Sequence, residues 1–282
     1  MPEEQKRYHV YEAEAEALSG HLTLPLVQAV KPPTFVKLNE RGGYVSQHAE
    51  NYRLGGVVSF RSAYTQVAGN PDVKVEHGWN TLATAVVEGL NVLDVVTADR
   101  IVCQISTDHP LVGYVPTVTF LGTRIENLRI AGVLVDFEMN LDMLGEKPLN
   151  DASYTSDRSF IERINTQRNQ IQSQENIPAD ISARYHRLPE ISAKQGKIEC
   201  SLVNHVGSAK FPWRCFGNAI DVPHFGKIYL GTLALEQSDF DTPTGAPRKT
   251  TITLNMIEMV MGCIGGGGLV GGGGKTNGGG YP

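Results

Sequence analysis

Between Val133 and Leu144 the chain reads VLVDFEMNLDML. Val133, Val135, Phe137, Met139, Leu141 and Met143 are apolar, and Asp136, Glu138, Asn140 and Asp142 stand between them. A repeat of two places the first set on one face of a β-sheet and the acids on the other. A wet outer face excludes parallel strands covered on both sides and predicts an antiparallel, one-sided sheet. The odd-numbered residues are therefore expected in the core, with Asp136, Glu138 and Asp142 exposed.

Similar texture fills residues 20–145. In VVEGLNVLDVVTADRIVCQIST, Ile101, Cys103 and Ile105 alternate with Arg100, Val102 and Gln104, while Asn91, Asp94 and Asp99 mark turns or bulges. At Lys147 the alternation stops. Phe160, Ile161, Ile164, Arg168 and Ile171 then recur at helical spacing. Ser159 with Glu162 matches a capping box, and Asp157 is an alternative N-cap. One surface helix over about 158–174 is expected, ended by Pro178. Strand texture returns in KIECSLVNHV, FGKIYLGTLALEQ and KTTITLNMIEMVMG, the last two joined by the turn-rich SDFDTPTGAPRK.

Many strands without regular intervening helices predict a mainly β protein, an antiparallel sandwich or flattened barrel. The expected division is a β-rich domain over 1–262, with a helical insertion at 147–190, and a glycine-rich tail at 263–282. The segments VEGLNVLDVVTADRI, LGTRIENLRIAG and FGKIYLGTLAL resemble β-rich bacterial proteins and, more loosely, the choice-of-anchor group. The likeness covers about 40–140 and 215–262. It implies a β fold and a surface or structural role, and it carries no functional residue.

With 41% hydrophobic and 20% charged residues in 282, the chain has material for a large core and too little charge for disorder. A net charge of −5 without a basic stripe argues against nucleic acid as partner. No run of 18 apolar residues occurs, so no membrane insertion is expected. The acidic N-terminal segment MPEEQKRYHVYEAEAEALSG lacks a secretory apolar core, so cytoplasmic residence is expected, with a surface location by a signal-independent route as the alternative. Cys103, Cys200, Cys215 and Cys263 form no close pair and are expected as reduced thiols.

The final segment, CIGGGGLVGGGGKTNGGGYP, imitates two phosphate-binding motifs and satisfies neither. Gly266, Gly268 and Gly271 match G-x-G-x-x-G, yet no helix can follow them to direct its N–H groups at a phosphate. In the Lys275–Thr276 motif the leading glycine position is occupied by Leu269. No nucleotide and no other cofactor is expected. Glycine leaves the backbone maximally free, so the tail needs something to hold it. Leu269, Val270 and Tyr281 are the candidate anchors, and a neighbouring subunit is the expected support.

Other chemistry is weak. Cys200, His205, Cys215 and His224 are ligand types for zinc without a Cys-x₂₋₄-Cys knuckle, so no metal residue is assigned. Asp108 beside His109 reads as a loop, either simple turn chemistry or an acid placed to orient an imidazole. Ser208 lacks a nucleophile elbow, and Cys103 sits mid-strand. Trp79 and Trp213 are candidate ligand platforms. No catalytic residue is assigned. The leading expectation is a non-enzymatic structural or interaction protein that forms homo-oligomers through β edges and the tail. The alternatives are a hydrolase or metal-dependent enzyme using region 200–224 or His109, and a ligand- or carbohydrate-binding module.

Overall fold

The structure, a computed structural model, describes residues 8–24, 27–70, 78–186, 190–191, 195–207, 211–238, 248–262 and 266–281. Along the chain run β1 (Tyr8–Leu24), β2 (Gln28–Val30), β3 (Phe35–Lys37), β4 (Gly43–Leu54), β5 (Val58–Gly69), β6 (Trp79–Val92) and β7 (Val96–His109). Five short strands follow: β8 (Thr117–Thr119), β9 (Arg124–Glu126), β10 (Arg129–Ile130), β11 (Val133–Leu134) and β12 (Phe137–Met139). Helices α1 (Arg158–Gln172) and α2 (Ala179–His186) come next. The chain then returns to β13 (Glu190–Ile191), β14 (Gln195–Ser201), β15 (Val203–Val206), β16 (Arg214–Phe216), β17 (Ala219–Val222), β18 (Gly226–Ser238), β19 (Arg248–Met261) and β20 (Gly266–Tyr281).

Among the described residues, ten strands form an antiparallel sheet along the path β13-β14-β18-β19-β20-β1-β2, with β3 on β1, β17 on β18 and β16 on β17. Eight form a second sheet, β11-β10-β7-β6-β5-β4, with β8 and β9 also on β7. β12 and β15 pair separately. β1 lies against β5 and β6, and β20 against β6 and β7, so the two sheets stack face to face. Neither sheet closes, and the fold is an antiparallel sandwich rather than a barrel.

The expected tail is corrected by β20. Its 16 residues lie in the middle of the larger sheet, in register with β1 on one side and β19 on the other. The glycines serve the packing between sheets. A Cβ on Gly274 would stand 3.1 Å from Cys103 Sγ, and one on Gly271 would stand 3.6 Å from Leu90 Cδ2. Side chains of β6 and β7 thus rest directly on the β20 backbone. Ala13, Ala15 and Ala17 of β1 continue this low surface, and each is buried. Large residues on one sheet meet small ones on the other, as close packing of facing sheets requires.

Gly272 also bends the sheet. Its φ of +67° suits glycine, and it falls between the pairs Asn255–Gly273 and Ile257–Gly271. Across it, Met256 and Ile257 are both buried, as are Ala17 and Leu18 of β1. The inward phase therefore shifts by one residue in each strand there.

Segment 133–143 alternates in exposure only as far as Met139, after which Asn140 is as covered as its neighbours, and it is broken into β11 and β12 with irregular chain between them. Val135 and Met143 are buried, Phe137, Met139 and Leu141 half-buried, and Asp136, Glu138 and Asp142 exposed. Helix α1 has Asp157 as its cap, whose carboxylate accepts from the Phe160 N–H at 2.8 Å. Pro178 does not simply end that helix. Its carbonyl accepts from Ser182 at the start of α2, so the insertion holds two helices rather than one.

Candidate functional site

Two places combine polar or apolar side chains with unused bonding capacity: the β4 edge and one end of the sandwich interior. β4 is 12 residues long and closes the path of its sheet, pairing with β5 alone among the described residues. Such a margin presents unpaired N–H and C=O groups. Residues 44–48 are all exposed, including Tyr44 at 60% and Val45 at 37%. Phe35 of the neighbouring β3 is also exposed, and its N–H donates to Gln47 Oε1 at 3.0 Å. Neither lysine nor proline occurs within β4, and residues 43–47 carry no charge. His48 Nε2 and Glu50 Oε1 stand 3.8 Å apart on its outer face.

At the end of the sandwich where β1 begins, the interior turns polar. Trp79 and His109 are opposite one another on β6 and β7, and Thr81 and Thr107 are the next inward pair. From the facing sheet, the His9 ring stacks on Trp79 at 5.0 Å and meets His109 at 4.6 Å, with Tyr11 edge-on at 4.6 Å. His9 Nε2, His109 Nε2 and the hydroxyls of Thr81 and Thr107 are buried without a hydrogen-bond partner. Burial holds the His9 imidazole down at about 4 and His109 at about 3, the latter lowered further by His9 and Lys147.

Behind the cluster, Asp151 ties the nearby loops. Its Oδ1 accepts from the N–H groups of Tyr114 at 2.6 Å and Val115 at 2.9 Å. Arg248 donates to Asp151 Oδ2 at 3.2 Å and to its carbonyl at 3.1 Å. In the sheet register Arg248 lies opposite Gly280, which lies opposite His9, so these groups share one end of the molecule.

The sequence candidates are dispersed. Leu269 is buried and Val270 half-buried in β20, opposite Gly20 and Ser19 of the same chain. The backbone of Tyr281 pairs with Tyr8, while its side chain lies outside the described residues. All three therefore sit on their own chain's sheet, not on a detached tail. Lys275 is half-buried within the same strand. The expected Asp108–His109 loop is the end of β7. Adjacent strand residues face opposite ways, so Asp108 bonds Asn80 outside while His109 points inward. That acid cannot orient that imidazole.

Cys200 is buried, His205 and His224 are exposed, and Cys215 is half-buried. Among the described residues, no three His, Cys, Asp or Glu side chains converge as a metal site. Burial raises the thiols of Cys200 to about 12 and Cys215 to about 11, and pushes Cys103 up as well. Cys103, Cys200 and Cys215 are free, while Cys263 and Ser208 lie outside the described residues. Trp79 is packed inside and Trp213 is half-buried, with its indole nitrogen enclosed. Asp136, Glu138 and Asp142 do share an open cleft of about 770 Å³ with Asn204 and His205.

Sequence reasoning missed His9 and Tyr11. The signal was present in YHVYEAEAEALSG, where Tyr11, Ala13, Ala15 and Ala17 alternate with glutamates. Alanine and glutamate disguise that period-two pattern as an acidic terminus. The edge position of β4 left no local trace.

A family profile described as Domain of unknown function (DUF8256) matches residues 9–236. The chain belongs to this family. The match runs from β1 to β18 and leaves β19 and β20 outside it. Neither a curated protein nor a solved structure matches the chain. Among the described residues no helix is long and apolar enough to cross a membrane.

Proposed function

We propose that this DUF8256 protein is a non-enzymatic structural or interaction protein that self-associates by pairing β4 with the β4 of a second copy. The carrying observation is the 12-residue open margin with exposed Tyr44 and Val45. Antiparallel pairing about a two-fold axis sets each residue opposite its reflection. An axis at Ala49 puts a small residue at the centre and His48 opposite Glu50 on each side. It also sets Gln47 opposite Asn51 and Tyr44 opposite Leu54. The paired edges then merge two eight-stranded sheets, and the backbone bonds of β4 are completed.

The chemistry elsewhere supports a non-catalytic reading. Cys103, Cys200 and Cys215 are held protonated by burial, and the most buried imidazole faces rings rather than an acid. The test is mass in solution by sedimentation, on the full chain across a concentration series. The wild-type protein is expected as a dimer or larger closed assembly. His48→Glu opposes Glu50 with a like charge and is expected to weaken association. Adding Glu50→Lys to that variant replaces the like-charge pair with an opposite-charge one and should restore association. A monomeric wild type at every concentration, or variants with unchanged mass, would sink the edge-pairing proposal.

A further inference from the structure

We infer that the His9–His109 contact is an acid-sensitive latch that clips the start of β1 and the end of β20 to the opposite sheet, and that mild acid opens this end before the rest of the sandwich unfolds.

The geometry makes the contact a clip. His9 belongs to the larger sheet and His109 and Trp79 to the smaller one, and the rings touch at 4.6 and 5.0 Å. Separations this short leave no room for a ligand between the rings. The backbone of His9 pairs with Gly280 and that of Tyr8 with Tyr281, so the clip acts where both terminal strands finish. Within the sheet these pairs hold without it; among the described residues, His9 and Tyr11 bring aromatic rings against the facing sheet at this end.

Protonation would act on this contact in one direction. The described groups facing the imidazoles are Tyr11 of β1, Trp79 and Thr81 of β6, Thr107 of β7, and Lys147. Arg248 and Asp151 stand behind them. Asp151 already accepts two backbone N–H groups and the Arg248 guanidinium. These bonds hold it in the loops, and it bonds neither His9 Nε2 nor His109 Nε2. A proton on each ring would set two positive charges in contact beside Lys147, in a site that withholds water. Separation of the sheets at this end lets both rings hydrate. The lowered proton affinity of both imidazoles accords with this arrangement.

Trp79 is a built-in reporter, because Trp213 is the only other tryptophan. In the full chain carrying Trp213→Phe, emission is followed from pH 7 to pH 4 beside far-ultraviolet circular dichroism. The expected result is dimming and a shift of Trp79 emission to longer wavelength while the sheet signal persists. The same variant with His9→Gln and His109→Gln should lose that transition. Hydrogen exchange on the unmodified protein is the second measurement. Protection, corrected for intrinsic rates, should fall at residues 8–11 and 278–281 by about tenfold per pH unit for each proton taken up. Protection along β6 and β7 away from this end should hold. The latch is wrong if Trp79 responds only when the whole sheet signal is lost, or if exchange at both terminal segments is insensitive to acid.

Discussion

β20 and β4 are strands of comparable length with opposite local character and opposite positions. β20 is mostly glycine, has little to recommend it as a strand, and lies in the middle of the larger sheet with partners on both sides. β4, GYVSQHAENYRL, has ordinary strand composition and lies at a margin with one partner. A strand is held by what lies beside and above it more than by its own propensity. Glycine is favoured at Gly272 and Gly274 of β20 because Ile101 and Cys103 crowd the space a side chain would need. β4 has polar residues around because nothing of the described chain covers much of it.

The comparison is most exposed to a truncation after Gly262. If β20 is the shared partner of β1 and β19, its removal strips ladder bonds from both and uncovers β6 and β7. Loss of the cooperative thermal transition and of the sheet circular dichroism is expected. Retention of both would restore the reading of this segment as a tail.

Acid should act on the β1–β20 side, where the two buried imidazoles meet. His9 and His109 titrate below the ordinary histidine value near 6.5, at about 4 and about 3. The unfolded chain therefore takes up protons first as pH falls. Stability is complete above about 6.5 and declines as pH drops through 6.5 towards 4, by up to about 2–3 kcal/mol for each imidazole. Urea titrations at pH 7.5 and 4.5 measure this. Equal stability at both would place the imidazoles in contact with water.

Gly272→Ala tests the centre of β20 more gently. The residue sits at φ +67°, and its Cβ would stand 3.0 Å from Ile101 Cγ2. Left-handed strain and crowding should together cost about 1–3 kcal/mol. A neutral effect in urea denaturation would show that the bend is not required. The smallest effect is expected at the other end of the comparison. Tyr44→Ser and Val45→Thr on β4 should change folding stability by no more than about 0.5 kcal/mol, because neither side chain is buried. Their effect should appear in sedimentation instead. A large loss of stability in dilute monomer would mean that β4 is covered by its own chain.

Much of the architecture was legible because it is written in period two. The alternation at Ile101, Cys103 and Ile105, the turn at Asp94, and the capped helix after Asp157 all occur close to where the residues point. The described part of the site was far less legible. His9 and His109 are 100 positions apart, and their meeting depends on which strands face each other across the sandwich. Asp108 and His109 misled for the reverse reason, since neighbours in a strand are on opposite faces. α2 leaves little trace because Pro178 follows one helical pattern and directly precedes the next, and a proline suits either place.

By itself, the sequence determined that this protein is built of one-sided antiparallel strands, that a short helical insertion interrupts them, and that its terminal glycines miss the spacing of a phosphate-binding motif. Those conclusions depend on side-chain alternation, caps and motif spacing, which are local and need no knowledge of neighbours. The tertiary structure decided that the glycine run is a central strand, that β4 is a margin, and that two distant imidazoles close one end of the sandwich. Strand order and the facing of sheets are set by shape and burial summed over the whole chain. A glycine in a flexible tail and a glycine beneath a packed Cys103 are identical in sequence, and only the atoms stacked above the second distinguish them.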